Sequence, residues 1–185
     1  MSAVPHIVFD SNCLVDLEEQ RPAAASLDVL INAAHIGRID LAVTAVTASE
    51  NQPGGGVMCN FGDFEARLSR LGLAEVRVLL PLAIWNVGYW DHAICGSEDL
   101  ELLAVRIRAA LFPGEESSEY SKTKLKRAEW RRRQCDAMVA WCCIYHGWEC
   151  LVTSDNDFHG HRKELSALGL PCILSPEEAA QLHVT

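Results

Sequence analysis

The stretch Glu149-Cys150-Leu151-Val152-Thr153-Ser154-Asp155-Asn156-Asp157-Phe158, continuing as a helical segment to Leu168 and then through Gly169 to Pro171-Cys172-Ile173-Leu174, decides how the chain is read. Glu149 to Thr153 and Pro171 to Leu174 are short apolar runs bounded by turn residues, the pattern of strands buried on both faces. Phe158 to Leu168 lies between them as a helix closed by Gly169. Ser175-Pro176-Glu177-Glu178 follows as a capping box with proline at the first helical position, opening a short final helix.

The same alternation runs through the rest of the chain. Val4 to Phe9, Ile39 to Val46 and Glu75 to Leu82 read as strands. Cys13 to Glu19, Pro22 to Ile36, Gly62 to Leu71 and Ser97 to Leu111 read as helices, as does a long segment from Ser121 to His146 stopped by Gly147. Glu50 should open a helix that the Pro53-Gly54-Gly55-Gly56 patch cuts short, and Ala83 to Gly96 is ambiguous. Apolar strands alternating with helices predict an α/β fold, a three-layer α/β/α sandwich around a central, mostly parallel sheet. Ligands of such folds gather at the carboxyl ends of the strands.

The chain's 185 residues, 49% hydrophobic and 22% charged, fit one soluble globular domain. No apolar stretch approaches the roughly 20 residues that span a bilayer, and the first residues show no secretory signal, so the expected location is the cytosol, with no membrane partner. Eight cysteines are scattered through apolar segments without a Cys-x-x-Cys pair and read as buried thiols. The net charge is −9, yet Lys122, Lys124, Lys126, Arg127, Arg131, Arg132 and Arg133 set seven bases within twelve residues against Glu129 alone. Elsewhere 9 bases face 24 acids, a net of −15. A molecule so polarised can hold a polyanion along one stripe, although a charge run is equally a solvated helix face.

Four acids sit where a chain normally avoids a carboxylate. Asp10 ends the run His6-Ile7-Val8-Phe9, Asp155 follows the strand of the opening stretch, and Glu50 closes the run that begins at Leu41. Asp136 shares an apolar helix face with Val139, Ala140 and Cys143. Each has an ordinary local reading as a turn, cap or surface residue; their conjunction does not. Carboxylates about 4 Å apart repel by roughly 4 kcal/mol at an effective dielectric of 20, so a cluster must take up protons or a cation. Oxygen ligands suit Mg²⁺ or Mn²⁺ rather than zinc. His159 and His161 look like a metal pair but lack further ligands at suitable spacing and read as a solvated loop. The five tryptophans read as core or interface, with Trp130, inside the basic stretch, the one to test as a base-stacking platform. No Gly-x-Gly-x-x-Gly or Walker loop is present.

Taken in order, Ile7 to Asn12, Glu50 after the second strand, Asp136-Ala137, Leu151 to Phe158 with its Thr153-x-Asp155-x-Asp157-Phe158 element, and the tail Ile173 to Glu178 resemble a PIN domain across the whole chain. That family is known for metal-dependent ribonucleases, including toxins of toxin–antitoxin modules. The resemblance implies that Asp10, Glu50, Asp136 and Asp155 are catalytic acids. It also implies that Asp10, Asp136 and Asp155 bind Mg²⁺ or Mn²⁺ with Asp157 as an accessory ligand, supported by Ser11, Asn12 and Thr153. It implies an RNA substrate bound along the basic helix, a small antitoxin partner and a homodimer. The 86 residues from Glu50 to Asp136 exceed the span of compact members and imply an insertion around 85–114 within a single 1–185 domain. The Gly-rich patch interrupts the helix that usually carries the second acid, which leaves Asp63 or Glu65 as substitutes for Glu50. The function expected is a metal-dependent endoribonuclease; the alternative is a catalytically silent PIN-like module that binds RNA or a protein.

Overall fold

Ile7, Val8 and Phe9 are all fully buried, as are Leu151 and Val152, which requires strands covered on both faces. The computed structural model describes residues 4–50, 58, 60–85, 87–114 and 124–184. Lys122 and the Pro53–Gly56 patch lie outside the described residues, and so do the side chains of Lys124 and Lys126. Five strands form one all-parallel sheet: β1 (His6–Phe9), β2 (Asp40–Thr44), β3 (Arg77–Leu79), β4 (Cys150–Val152) and β5 (Cys172–Leu174). Their order is β3-β2-β1-β4-β5, with Phe9 in register with Val43 on one side and Val152 on the other. The chain leaves β1 toward β2 and β3, then returns to place β4 against the free side of β1. The crevice between the carboxyl ends of β1 and β4 is therefore the topological switch point, where doubly wound sheets bind ligands.

Side chains alternate across the sheet into two cores, giving the three-layer sandwich that the sequence predicts. Ile7, Phe9, Leu41, Val43 and Val152 pack with α1 (Ser11–Glu18), α2 (Ala24–His35), α3 (Phe61–Arg70) and α8 (Pro176–Val184). Val8, Ala42, Leu151 and Ile173 pack with α4 (Glu98–Leu111), α5 (Lys124–His146), α7 (Arg162–Leu168) and Phe158 of α6 (Asn156–Gly160). Every residue of α5 from Gln134 to Cys143 is buried, so this stretch has no solvent face, and Gln134 and Asp136 are its two polar side chains. No helix of the described residues is long and apolar enough to cross a membrane, and their seven cysteines are all free.

Ala45–Ser49 winds into a buried 3-10 turn that Glu50 closes with extended backbone, φ −74° and ψ 154°, and the short helix expected to open at Glu50 falls on residues outside those described. A hydroxyl pair, Thr44 Oγ1 to Thr47 Oγ1 at 3.1 Å, fastens that turn, and Arg131 Nε donates to the Ser49 carbonyl at 2.9 Å. The expected Phe158–Leu168 helix is two helices broken at His161, whose Nδ1 sits 2.8 Å from the Asp157 carbonyl and competes for an oxygen the helix would otherwise use. The capping box at the last helix forms, with the Ser175 amide donating to Glu178 Oε2 at 2.8 Å and the Glu178 amide donating to Ser175 Oγ at 3.2 Å. Gly169 turns the chain out of α7 at φ +112°, with Ile144 Cγ2 3.3 Å from where a Cβ would stand, so a side chain there meets both backbone strain and a neighbour.

Arg67 of α3 is 2% exposed and grips Glu18 of α1 through two bonds of 2.8 and 2.7 Å. Glu18 keeps 30% of its side chain in water, which softens the loss when the pair is cut. Arg67→Met is expected to lower stability by about 2–3 kcal/mol, read as a lower urea midpoint at unchanged slope.

Candidate metal centre

Asp10 follows β1 directly and caps α1. Its Oδ1 accepts the Ser11 amide at 2.7 Å, while its Oδ2 accepts the Thr153 hydroxyl at 2.7 Å and the Asn12 amide at 3.4 Å. The capping role that a sequence reader would assign is thus real, but it uses one carboxylate oxygen and leaves the other at the switch point. Thr153 follows β4, and its Oγ1 also accepts the Asp155 amide at 3.0 Å, so one hydroxyl ties the two strand ends together. Asp155 in turn caps α6, accepting the Asp157 amide at 2.8 Å. Ser11, Asn12 and Thr153, expected as supporting residues, all touch Asp10.

Asp136 comes to the same place from α5. One carboxylate oxygen each from Asp136, Asp155 and Asp157 lie within 4.8 Å of one another, a group that could hold a metal ion. Asp10 falls outside that tight triad and acts on it through its field. Burial raises the Asp136 carboxyl to about 8, with repulsion from Asp10, Asp155 and Asp157 added and Arg132 opposing. Burial likewise raises Asp10 to about 6 against the pull of the Thr153 and Ser11 bonds, with Asp155 pushing further up.

Glu50 lies within the electrostatic reach of Asp10 and Asp136. It is raised well above the ordinary carboxylate range by burial first and then by the charge of Asp10, with Asp136 adding to it while a Ser11 hydrogen bond and Arg67 pull the other way. Asp63 and Glu65, the substitutes, sit on exposed positions of α3. Glu50 also lines a cleft of about 390 Å³ together with Ala128, Glu129, Arg131, Arg132 and Cys135 of α5.

The basic stripe looks different in the fold. Arg132 places Nη1 3.5 Å from Asp136 Oδ2 and 3.8 Å from Asp155 Oδ2, and Nη2 3.4 Å from Asp157 Oδ2. Burial works against its charge, but those three carboxylates outweigh it and raise its pKa. Arg131 holds the Ser49 carbonyl, while Arg133 pairs with Glu129 at 2.7 Å and lies 5.3 Å above the Phe112 ring. Arg131 and Arg132 therefore build the site before they meet any substrate. Arg132 stands four residues before Asp136, a helical ion-pair spacing that could have announced the contact. The histidines face the backbone: His159 Nε2 lies 2.9 Å from the Thr153 carbonyl, and with His161 it pins the segment carrying Asp155 and Asp157.

A divalent cation fits this donor set. The ligand atoms are all carboxylate oxygens, and burial first, with their mutual repulsion added, holds Asp10, Glu50 and Asp136 above their ordinary pKa values. Arg132 supplies one balancing charge to the triad. Arg132→Ala is expected to lower the melting temperature of the metal-free protein and to enlarge the rise that Mn²⁺ produces, measured by thermal melts with and without the ion. No protein-family model matches the chain, and no curated protein matches it.

Proposed function

We propose that the protein is a Mg²⁺- or Mn²⁺-dependent endoribonuclease of PIN-like architecture. The observation that carries this reading is the convergence of Asp10, Glu50, Asp136, Asp155 and Asp157, from four separate elements of the chain, on the switch point of a parallel sheet. Asp136, Asp155 and Asp157 would hold the ion, with Asp10 completing the field. Such an ion supplies Lewis acidity and positive charge to a phosphodiester and the water that attacks it. Thr153 and Ser11 hold Asp10 in the ionised, acceptor orientation. Glu50, raised by burial and then by the charge of Asp10, sits in the cleft as the group suited to exchange a proton with water or the leaving oxygen. Arg131 and Arg132 line the same cleft and give it the positive charge a phosphate backbone needs. RNA as the substrate rests on the family resemblance together with this mixed lining.

Asp10→Asn and Asp155→Asn are expected to abolish cleavage of single-stranded RNA while leaving the fold intact by circular dichroism. Full activity of either variant at saturating Mn²⁺ would remove the assignment.

A second reading, a binding module without catalysis, draws on Arg132, whose guanidinium already spans all three carboxylates of the triad. It predicts a melting temperature indifferent to Mn²⁺, whereas the nuclease reading predicts a rise.

A further inference from the structure

A second cavity, about 420 Å³, opens on another face of α5, where Trp130 and Gln134 stand one helical turn apart. Trp85, Glu101 and Arg108 share its lining. Arg131, Arg132 and Cys135, interleaved with Trp130 and Gln134 along the same turns, line the carboxylate cleft instead. One helix therefore forms a wall of both spaces.

Gln134 is the residue that calls for a ligand. It is 5% exposed, and among the described residues its amide is held by no hydrogen bond. The amide atoms are not among the buried polar atoms sealed from water, so they stand open to a group that enters the cavity. The amide presents an acceptor and two donors side by side, the pattern that matches a nucleobase edge and adenine best. The aromatic lining points the same way. Trp85 is 70% exposed and meets Trp90, 60% exposed, edge to face at 5.5 Å, so indole surface stands in water at the cavity mouth. Flat indoles exposed to solvent offer stacking surfaces for bases. The cavity's size is that of a small-molecule site, and a purely apolar protein segment filling it would leave Gln134 unanswered.

We propose that this cavity binds a nucleobase of the RNA strand whose backbone lies in the carboxylate cleft, Trp85 and Trp130 stacking on it and Gln134 reading its edge. The proposal rests on the ribonuclease reading for its substrate, but binding is separable from cleavage.

The test uses the full chain in EDTA, with fluorescently labelled ten-nucleotide homopolymers of A, C, G and U as probes and anisotropy as the readout. Trp85→Ala, at an exposed position that folding tolerates, is expected to weaken binding by about 5- to 150-fold, the range of a lost base stack. Gln134→Glu removes the donors and is expected to change the order of affinity among the four probes; Gln134→Met, with a closely similar volume, checks that any loss is not misfolding. Wild-type affinities in Trp85→Ala together with an unchanged probe order in Gln134→Glu would overturn the base site. So would the absence of RNA binding by the wild type. Unchanged RNA binding in Trp85→Ala accompanied by loss of self-association would mark the cavity as a protein interface, which also overturns it. Base binding that depends on Trp85 in a protein that never cleaves RNA with Mn²⁺ would support the base site and defeat the nuclease reading alone.

Discussion

Asp136→Asn is expected to reduce RNA cleavage at least about 100-fold, since even supporting groups of a metal site are worth about 10–100-fold. The same change should leave a folded protein that is more stable than the wild type in EDTA near pH 9. Asp136 is 7% exposed, and burial with three neighbouring acids lifts its carboxyl to about 8. Above that pH the wild type carries a buried charge that the amide lacks. Loss of activity with gain of metal-free stability separates a ligand from a structural residue, because a structural residue loses both. Steady-state cleavage with saturating Mn²⁺ and a paired thermal melt in EDTA give the two numbers.

The second large effect is on pH and metal together. The folded-state pKa values of Asp10 and Asp136, about 6 and about 8, lie above the ordinary value of 3.8 that the unfolded chain retains. Between these limits the folded protein binds more protons than the unfolded one, so their contribution to stability is fully present below about pH 4. It falls as pH rises through 6 and 8 and is flat beyond. Metal-free protein is therefore expected to melt several degrees lower at pH 8.5 than at pH 5.5, with about 2–4 °C for each kcal/mol in a chain of this size. A divalent ion binds the ionised carboxylates and displaces their protons, so Mn²⁺ should raise the melting temperature far more at pH 8.5 than at pH 5.5. A metal-free protein whose cluster makes it most stable at alkaline pH would contradict the electrostatic picture.

Much of this was legible in the sequence because period and burial agree. Ile7 to Phe9 and Cys150 to Val152 are apolar on successive residues, which fixes buried parallel strands, and the acids that follow them fall at one edge by geometry alone. Asp136 was readable for the same reason, as a charge inside a segment that is otherwise apolar. Glu50 was legible as a displaced acid, but its placement was not, since it depends on a 3-10 turn whose Thr44–Thr47 hydroxyl pair and Arg131 contact are made in three dimensions. Arg132 reads in the sequence as one of seven bases within twelve residues that could bind a polyanion, yet the helix turns it back onto Asp136, Asp155 and Asp157. The break at His161 escaped because the ring–carbonyl contact that makes it is invisible to helical periodicity. Trp85 and Trp130, far apart in sequence, line one cavity, and no spacing rule connects them.

Purified protein freed of metal with EDTA, then incubated with labelled single-stranded RNA across a titration of Mn²⁺ or Mg²⁺, tests the central claim most directly. Cleavage should be absent in EDTA, appear with the added ion and saturate. Cleavage that persists in EDTA, or RNA left intact at saturating concentrations of both ions, would contradict it.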